Sequence, residues 1–206
     1  MTKAVFYGAS GIEGVGASSP AQRFSSIISR VMGWEECNLG IGGTPVTGRD
    51  DSGMIVAEDS GIGRVPDVVA AAPGMVFILY GANDFVLSVP IGDPQVFRQG
   101  TFYWDFDTML RGIKEALPAA QIVLSTPTYR ADANTPNVLG LILDDYTRVM
   151  RQMADRYDLC LLDAFAESGI DAQNFSSLAA DECHLNDAGQ ERLAAFYLEG
   201  LRKVCL

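Results

Sequence analysis

The chain reads as an α/β protein with a parallel sheet. Two observations predict this. Five short apolar, β-rich segments alternate with segments of helical period, and glycine or proline marks many of the junctions between them. The first strand covers residues 4–7 (AVFY) and stops at Gly8. A helix is expected over 21–32, where Phe24, Ile27, Ile28 and Val31 recur at helical spacing between Pro20 and Gly33. Residues 36–41 form a second, weaker strand, and 65–72 a short helix. Residues 75–80 (MVFILY) are continuously apolar up to Gly81, the pattern of a strand buried on both faces. A helix over 105–117 ends at Pro118, and 121–125 (QIVLS) is the fourth strand. A long helix over 138–157 puts Leu139, Ile142, Leu143, Tyr146, Val149, Met150 and Met153 on one face. Residues 159–165 supply the fifth strand and 187–204 the closing helix. Two loops are long, 44–64 and 85–104, and loops of that length in a compact domain are often functional.

At 206 residues the chain is expected to form one domain, 1–206, with a core that needs no staples. Apolar residues at 48% against 20% charged place it among folded globular proteins. Fifteen Lys and Arg against 26 Asp and Glu leave a net charge of −11, which repels nucleic acid and anionic membranes. No apolar run reaches the roughly 18 residues of a membrane span. The first strand begins at Ala4, which leaves no room for a signal peptide. Cys37, Cys160, Cys183 and Cys205 are irregularly spaced, with no disulfide framework and no CxxC pair, so a reducing, cytoplasmic compartment is expected. One histidine and no clustered ligands argue against a metal centre.

Ligands of an open parallel sheet bind beyond the carboxyl ends of the strands. Those ends deliver Gly8-Ala9-Ser10 from the first strand, Asn38 to Gly43 (NLGIGG) from the second, and Gly81-Ala82-Asn83-Asp84 from the third. The loop after the fifth strand delivers Asp181-Glu182-Cys183-His184. Ser10 is a nucleophile if a base takes its proton. His184 is the only base of ordinary neutral-range chemistry, and Asp181, three residues earlier, is near enough to fix its tautomer. The backbone amides of Ser10 and Gly43 and the Asn83 side chain are candidate oxyanion donors, and a strand order 2-1-3-4-5 would place Gly43 and Asn83 on either side of Ser10. Gly40 and Gly42 compete with Gly43 for that role. Asp84 reads as the turn residue beside Asn83.

These four blocks, in this order, resemble the SGNH (GDSL-like) hydrolase superfamily. The last of them runs Asp181-x-x-His184-Leu185-Asn186-x-x-Gly189. The resemblance implies a three-layer, flavodoxin-like α/β/α fold and serine ester hydrolysis without a cofactor. It implies catalytic roles for Ser10, Asp181 and His184, and oxyanion roles for Gly43 and Asn83. Ala9 departs from the Asp usual in the first block, so the support around the nucleophile is expected to differ. The substrate class expected is a small-molecule or carbohydrate ester with a short acyl group.

Other readings fit less well. The same chemistry serves acyl transfer to an acceptor alcohol, and a binding module would keep the pocket without catalysis. Gly8-x-x-Gly11-x-x-Gly14 resembles a dinucleotide fingerprint of an NAD(P)-binding oxidoreductase. However, no helix is expected to open there before Pro20, no acidic residue ends the second strand, and no Tyr-x-x-x-Lys pair occurs. The α/β-hydrolase pattern Gly-x-Ser-x-Gly fails at Ile12. Cys183 is a poor nucleophile candidate because it is adjacent to His184 in the chain. The aromatic residues Phe97, Phe102, Tyr103, Trp104 and Phe106 fit a lid or acyl pocket and equally core packing under a long loop.

Overall fold

The structure is a computed structural model that describes residues 1–48 and 59–205. Of the first long loop, residues 49–58 therefore lie outside the described residues. The strands are β1 (Lys3–Gly8), β2 (Glu35–Gly40), β3 (Met75–Leu79), β4 (Gln121–Ser125) and β5 (Cys160–Leu162). They form one sheet in the order β2-β1-β3-β4-β5, and every neighbouring pair is parallel. This is the expected α/β architecture and strand order.

Side chains alternate between the two faces of a strand, and the core divides accordingly. Val5, Tyr7, Val76, Ile78, Ile122 and Leu124 face one layer of helices. That layer contains α3 (Val65–Ala70), α5 (Phe102–Ala116) and α6 (Leu143–Tyr157). Ala4, Phe6, Met75, Phe77, Leu79 and Val123 face the other layer, built from α2 (Phe24–Met32) and α9 (Asp187–Gly200). All five residues of β3 are buried, as its unbroken apolar run requires.

Boundaries moved where side chains offered the backbone a better partner. The long helix starts at Leu143 rather than 138. The Asn137 side-chain oxygen accepts from the N–H of Leu139 and Leu141, and Asp145 Oδ2 accepts from Ile142 N–H at 2.8 Å. Leu139 is consequently 49% exposed and is not part of the buried face. β5 ends early because Asp163 caps a one-turn helix, α7 (Ala164–Glu167). The closing helix gives way at Leu201 to a short π-helical turn. α5 begins earlier than expected because Phe102, Tyr103 and Phe106 are core residues, which answers the lid question for those three. Phe97 is exposed and packs edge-on against Trp104.

Three further short helices sit at strand ends and loops: α1 (Ser10–Glu13), α4 (Ala82–Val86) and α8 (Phe175–Leu178). Sequence periodicity missed them because each is about one turn long. Cys160 also departs from expectation. It is disulfide-bonded, whereas Cys37 and Cys183 are free thiols. Spacing alone does not determine which cysteines meet. A disulfide persists most readily in an oxidising environment, which removes cysteine usage as an argument for a reducing one.

Candidate active site

The site lies beyond the carboxyl ends of β1, β2 and β3. Ser10 is the first residue of α1, immediately after β1. The first N–H groups of a helix have no partner within it, so Ser10 presents a hydroxyl and an amide that no intrahelical carbonyl takes. A close approach of α1 to β2 makes this possible. A Cβ at Gly40 would meet the Glu13 backbone nitrogen at 2.1 Å, so only glycine lets α1 lie down on that strand end. α1 itself stops at Gly14 after four residues, too short to seat a pyrophosphate in the manner of a dinucleotide fold.

The glycines after β2 are separated by their hydrogen bonds. The Gly40 N–H donates to Asn38 Oδ1 at 3.0 Å, and the Gly42 N–H to Glu13 Oε2 at 2.7 Å. Among the described residues the Gly43 N–H has no such partner. Glu13 was missed by sequence reasoning, yet it draws the Gly42 amide away. No sequence signal marks it, because the contact joins the end of α1 to the segment after β2, 29 residues away.

Asn83 stands in α4 after β3. Its Nδ2 donates to the Thr44 carbonyl at 3.0 Å, which ties α4 to the segment after Gly43, and among the described residues its second amide proton has no partner. Asp84 does more than serve the turn expected of it. It is fully buried, and its carboxylate accepts from the N–H groups of Val46 and Thr47 at 3.0–3.2 Å. Burial pushes this carboxyl up to about 7, against those two backbone donors, and the charge of Asp105 adds to the rise. The folded state therefore holds the Asp84 proton more tightly than the unfolded state. The resulting stability is full below about pH 4 and is lost as pH rises through about 7. Urea midpoints measured at pH 5 and pH 8 should fall more steeply in wild type than in Asp84→Asn. Equal slopes would remove Asp84 as the source.

Asp181 and His184 sit on the loop between α8 and α9. His184 Nδ1 lies 2.8 Å from Asp181 Oδ2, while Asp181 Oδ1 accepts from the N–H of Cys183 and His184 at 2.8 and 2.7 Å. Desolvation of Asp181 is outweighed by the His184 ring bond and those two backbone bonds, which hold the carboxyl well below the usual carboxylate range. Asp181 is thus an anion that fixes the imidazole with Nε2 as its remaining ring nitrogen. The loop is fastened to the serine segment. Asp187 accepts from both N–H and Oγ of Ser18, at 2.8 and 2.6 Å. Gly16 approaches so closely that a Cβ there would meet the Leu185 carbonyl at 2.5 Å.

Ser10, Gly42, Gly43, Asn83, Arg130, Cys183 and His184 line one pocket of about 350 Å³, with Val15, Ala82 and Val86 as its apolar wall. Every predicted site residue except Asp181 is on this wall, and Asp181 is directly behind His184. Arg130 is an addition that sequence reading missed. Its guanidinium pairs with both oxygens of Asp132 and lies over the Phe85 ring at 5.9 Å. Burial raises the Cys183 thiol above its ordinary range, opposed by Arg130, which disfavours the thiolate a cysteine nucleophile needs. Asp181, Cys183 and His184 nonetheless place three ligand-type atoms within 4.8 Å of one another, a cluster not expected from the sequence. A larger cavity of about 650 Å³ lies at the amino ends of β4 and β5, lined by Lys114, Gln121, Asp158 and Cys160, with no pairing of nucleophile and base.

Known proteins reproduce this architecture. One solved structure superposes with a TM-score of 0.87 at 28% identity, covering 100% of this chain and 98% of that chain. The lipase/acylhydrolase from Enterococcus faecalis gives 0.73 at 21% identity, with 98% and 96% covered. An acetyl xylan esterase gives 0.71 at 18% identity, with 97% and 99% covered. The last two likenesses concern the fold alone. No curated protein sequence matches the chain. The profile of the GDSL-like lipase/acylhydrolase family matches residues 6–192, nearly the full length and all four sequence blocks, and the chain belongs to that family of ester hydrolases.

Proposed function

We propose that the protein is a serine esterase that cleaves small carboxylic esters through an acyl-enzyme. The observation that carries this reading is the single pocket shared by Ser10, Gly43, Asn83 and His184, with the anionic Asp181 on Nδ1 of the imidazole. Ser10 Oγ attacks the ester carbonyl carbon as His184 Nε2 takes its proton. The carbonyl oxygen gains the negative charge of the tetrahedral intermediate. The amides of Ser10 and Gly43 and the free N–H of Asn83 Nδ2 stabilise it. The intermediate collapses, the carbon–oxygen bond to the alcohol breaks, and His184 returns the proton to the leaving oxygen. Water then attacks the acyl-serine, again losing a proton to His184, and releases the acid.

The unpaired amides support this assignment of donors. Among the described residues, Gly43 is the one of the three glycines at the end of β2 whose N–H has no hydrogen-bond partner. A cavity of about 350 Å³ is at the lower end of the range for small-molecule sites, roughly 300–1,000 Å³, and favours a short acyl group on a small alcohol or sugar.

The test is a fluorophosphonate probe followed by peptide mapping, together with a p-nitrophenyl ester series of increasing acyl length. Expected are a single adduct on Ser10 and a rate that falls beyond the shortest acyl groups. An adduct elsewhere, or a rate that climbs with chain length, would overturn the nucleophile or the acyl preference respectively.

A further inference from the structure

We propose that Arg64 is a positioning residue that sets the spacing of the oxyanion donors by clamping the carboxyl ends of β1 and β2 to each other. The proposal rests on the esterase reading of the site and deepens it. Arg64 stands at the start of α3 and is only 4% exposed. Its Nη1 donates to the Leu39 carbonyl at 2.8 Å and its Nη2 to the Gly8 carbonyl at 3.1 Å. Gly8 is the last residue of β1, and Leu39 is one residue from the end of β2. The planar fork of one guanidinium therefore bridges two neighbouring strand ends.

Further contacts hold the fork in place. Nη2 also donates to the Tyr80 hydroxyl, Nε donates to the Asp59 carbonyl at 3.2 Å, and the guanidinium lies over the Tyr7 ring at 5.1 Å. The Tyr7 hydroxyl in turn donates to the Gly61 carbonyl. Among the described residues no carboxylate pairs with Arg64, and its donors go to backbone carbonyls and a phenol. Burying a cation is costly unless its donors are satisfied, and here satisfying them ties the strand ends together.

The clamp lies just upstream of both backbone donors. Ser10 follows Gly8 by two residues, and Gly43 follows Leu39 by four. On the β3 side Gly8 is already closely packed, since a Cβ there would meet the Leu79 carbonyl at 2.2 Å. On the β2 side its carbonyl accepts from the Ile41 N–H at 3.2 Å, and Arg64 adds the second bond. Ala9 brings no polar side-chain atom to this turn and packs against the same core as Tyr7 and Tyr80. The support that the sequence leaves open at Ala9 is thus supplied by Arg64. Oxyanion donors must stand about 2.7–3.1 Å from the developing charge. Loosening one strand end against the other lengthens those bonds, which weakens the tetrahedral intermediate more than the bound ester.

Two variants test this. Arg64→Lys keeps the charge but cannot span both carbonyls, and Arg64→Met removes charge and fork together. With p-nitrophenyl acetate both should lose about 10²-fold in kcat, the cost of a misplacement near 1 Å, with KM changed by less than about 3-fold. In proton–nitrogen correlation spectra of Arg64→Lys, the Ser10 and Gly43 amides should shift while that of Asp181, on a separate loop, stays. Wild-type kcat in Arg64→Lys, a change confined to KM, or unmoved Ser10 and Gly43 amides overturns the clamp. Should neither Arg64 variant pass a circular dichroism check, Tyr80→Phe decides, because it strips one partner from Nη2 and keeps the ring in the core. A lower kcat at unchanged KM is then expected, and a wild-type kcat overturns the proposal. Shifted Ser10 and Gly43 amides in a protein that hydrolyses no ester support the clamp and overturn the esterase reading instead.

Discussion

Ser10→Ala is expected to lower ester hydrolysis by about 10⁴-fold or more and to remove fluorophosphonate labelling, with the fold intact. In the proposed mechanism the Ser10 hydroxyl forms the acyl bond, and alanine offers no atom that can do so. The fold should tolerate the change because Ser10 is the half-buried first residue of a four-residue helix whose N-cap, Ala9, makes no side-chain bond. His184→Ala should be nearly as damaging. The alkoxide and its base act as one unit, so the double variant should lose little more than either single one. Kinetics on the two single variants and the double, with circular dichroism as a fold check, decide this. Penalties that add in free energy would refute a shared step.

Asn83→Ala should lower kcat by about 10²–10³-fold while changing KM little. The ester oxygen carries a partial charge in the bound substrate and a full one in the tetrahedral intermediate. A fixed donor therefore stabilises the transition state more than the ground state. The Asn83 amide is held in place by its other proton, which reaches the Thr44 carbonyl at 3.0 Å. Two backbone donors remain after the substitution, so residual activity should exceed that of Ser10→Ala. A change confined to KM would show that Asn83 binds substrate and does not stabilise the oxyanion. Asp84 is no neutral neighbour for comparison. It grips Val46 and Thr47, on the same segment as Thr44, so its loss should reach the site as well as stability.

Patterns that repeat along the chain were legible in the sequence. The unbroken apolar run of β3 and the helical period of α2 and α5 record which faces are buried, because burial acts on every residue of a long element. Ser10, Asn83, Asp181 and His184 could be picked out for a related reason. Each is a residue type able to do chemistry at a place where a parallel sheet must end, and His184 is the only histidine in the chain.

Contacts between distant segments were not legible. The choice of Gly43 over Gly40 and Gly42 depends on Asn38 and Glu13 taking the other two amides. The burial of Asp84 depends on Val46 and Thr47 folding over it, and the start of α6 depends on Asn137 and Asp145. Arg130 enters the pocket from the loop after β4, and Cys160 joins a disulfide that spacing gave no reason to expect. The sequence by itself determined the alternation of strands and helices, the parallel sheet and the residues able to do chemistry, because hydrophobic period and residue type are local properties. The three layers and the strand order came through the family resemblance that those residues carry. Only the tertiary structure decided which glycine amides are taken up within the fold and which carboxylate is buried. Each of those depends on a hydrogen bond or approach between segments that no local pattern encodes.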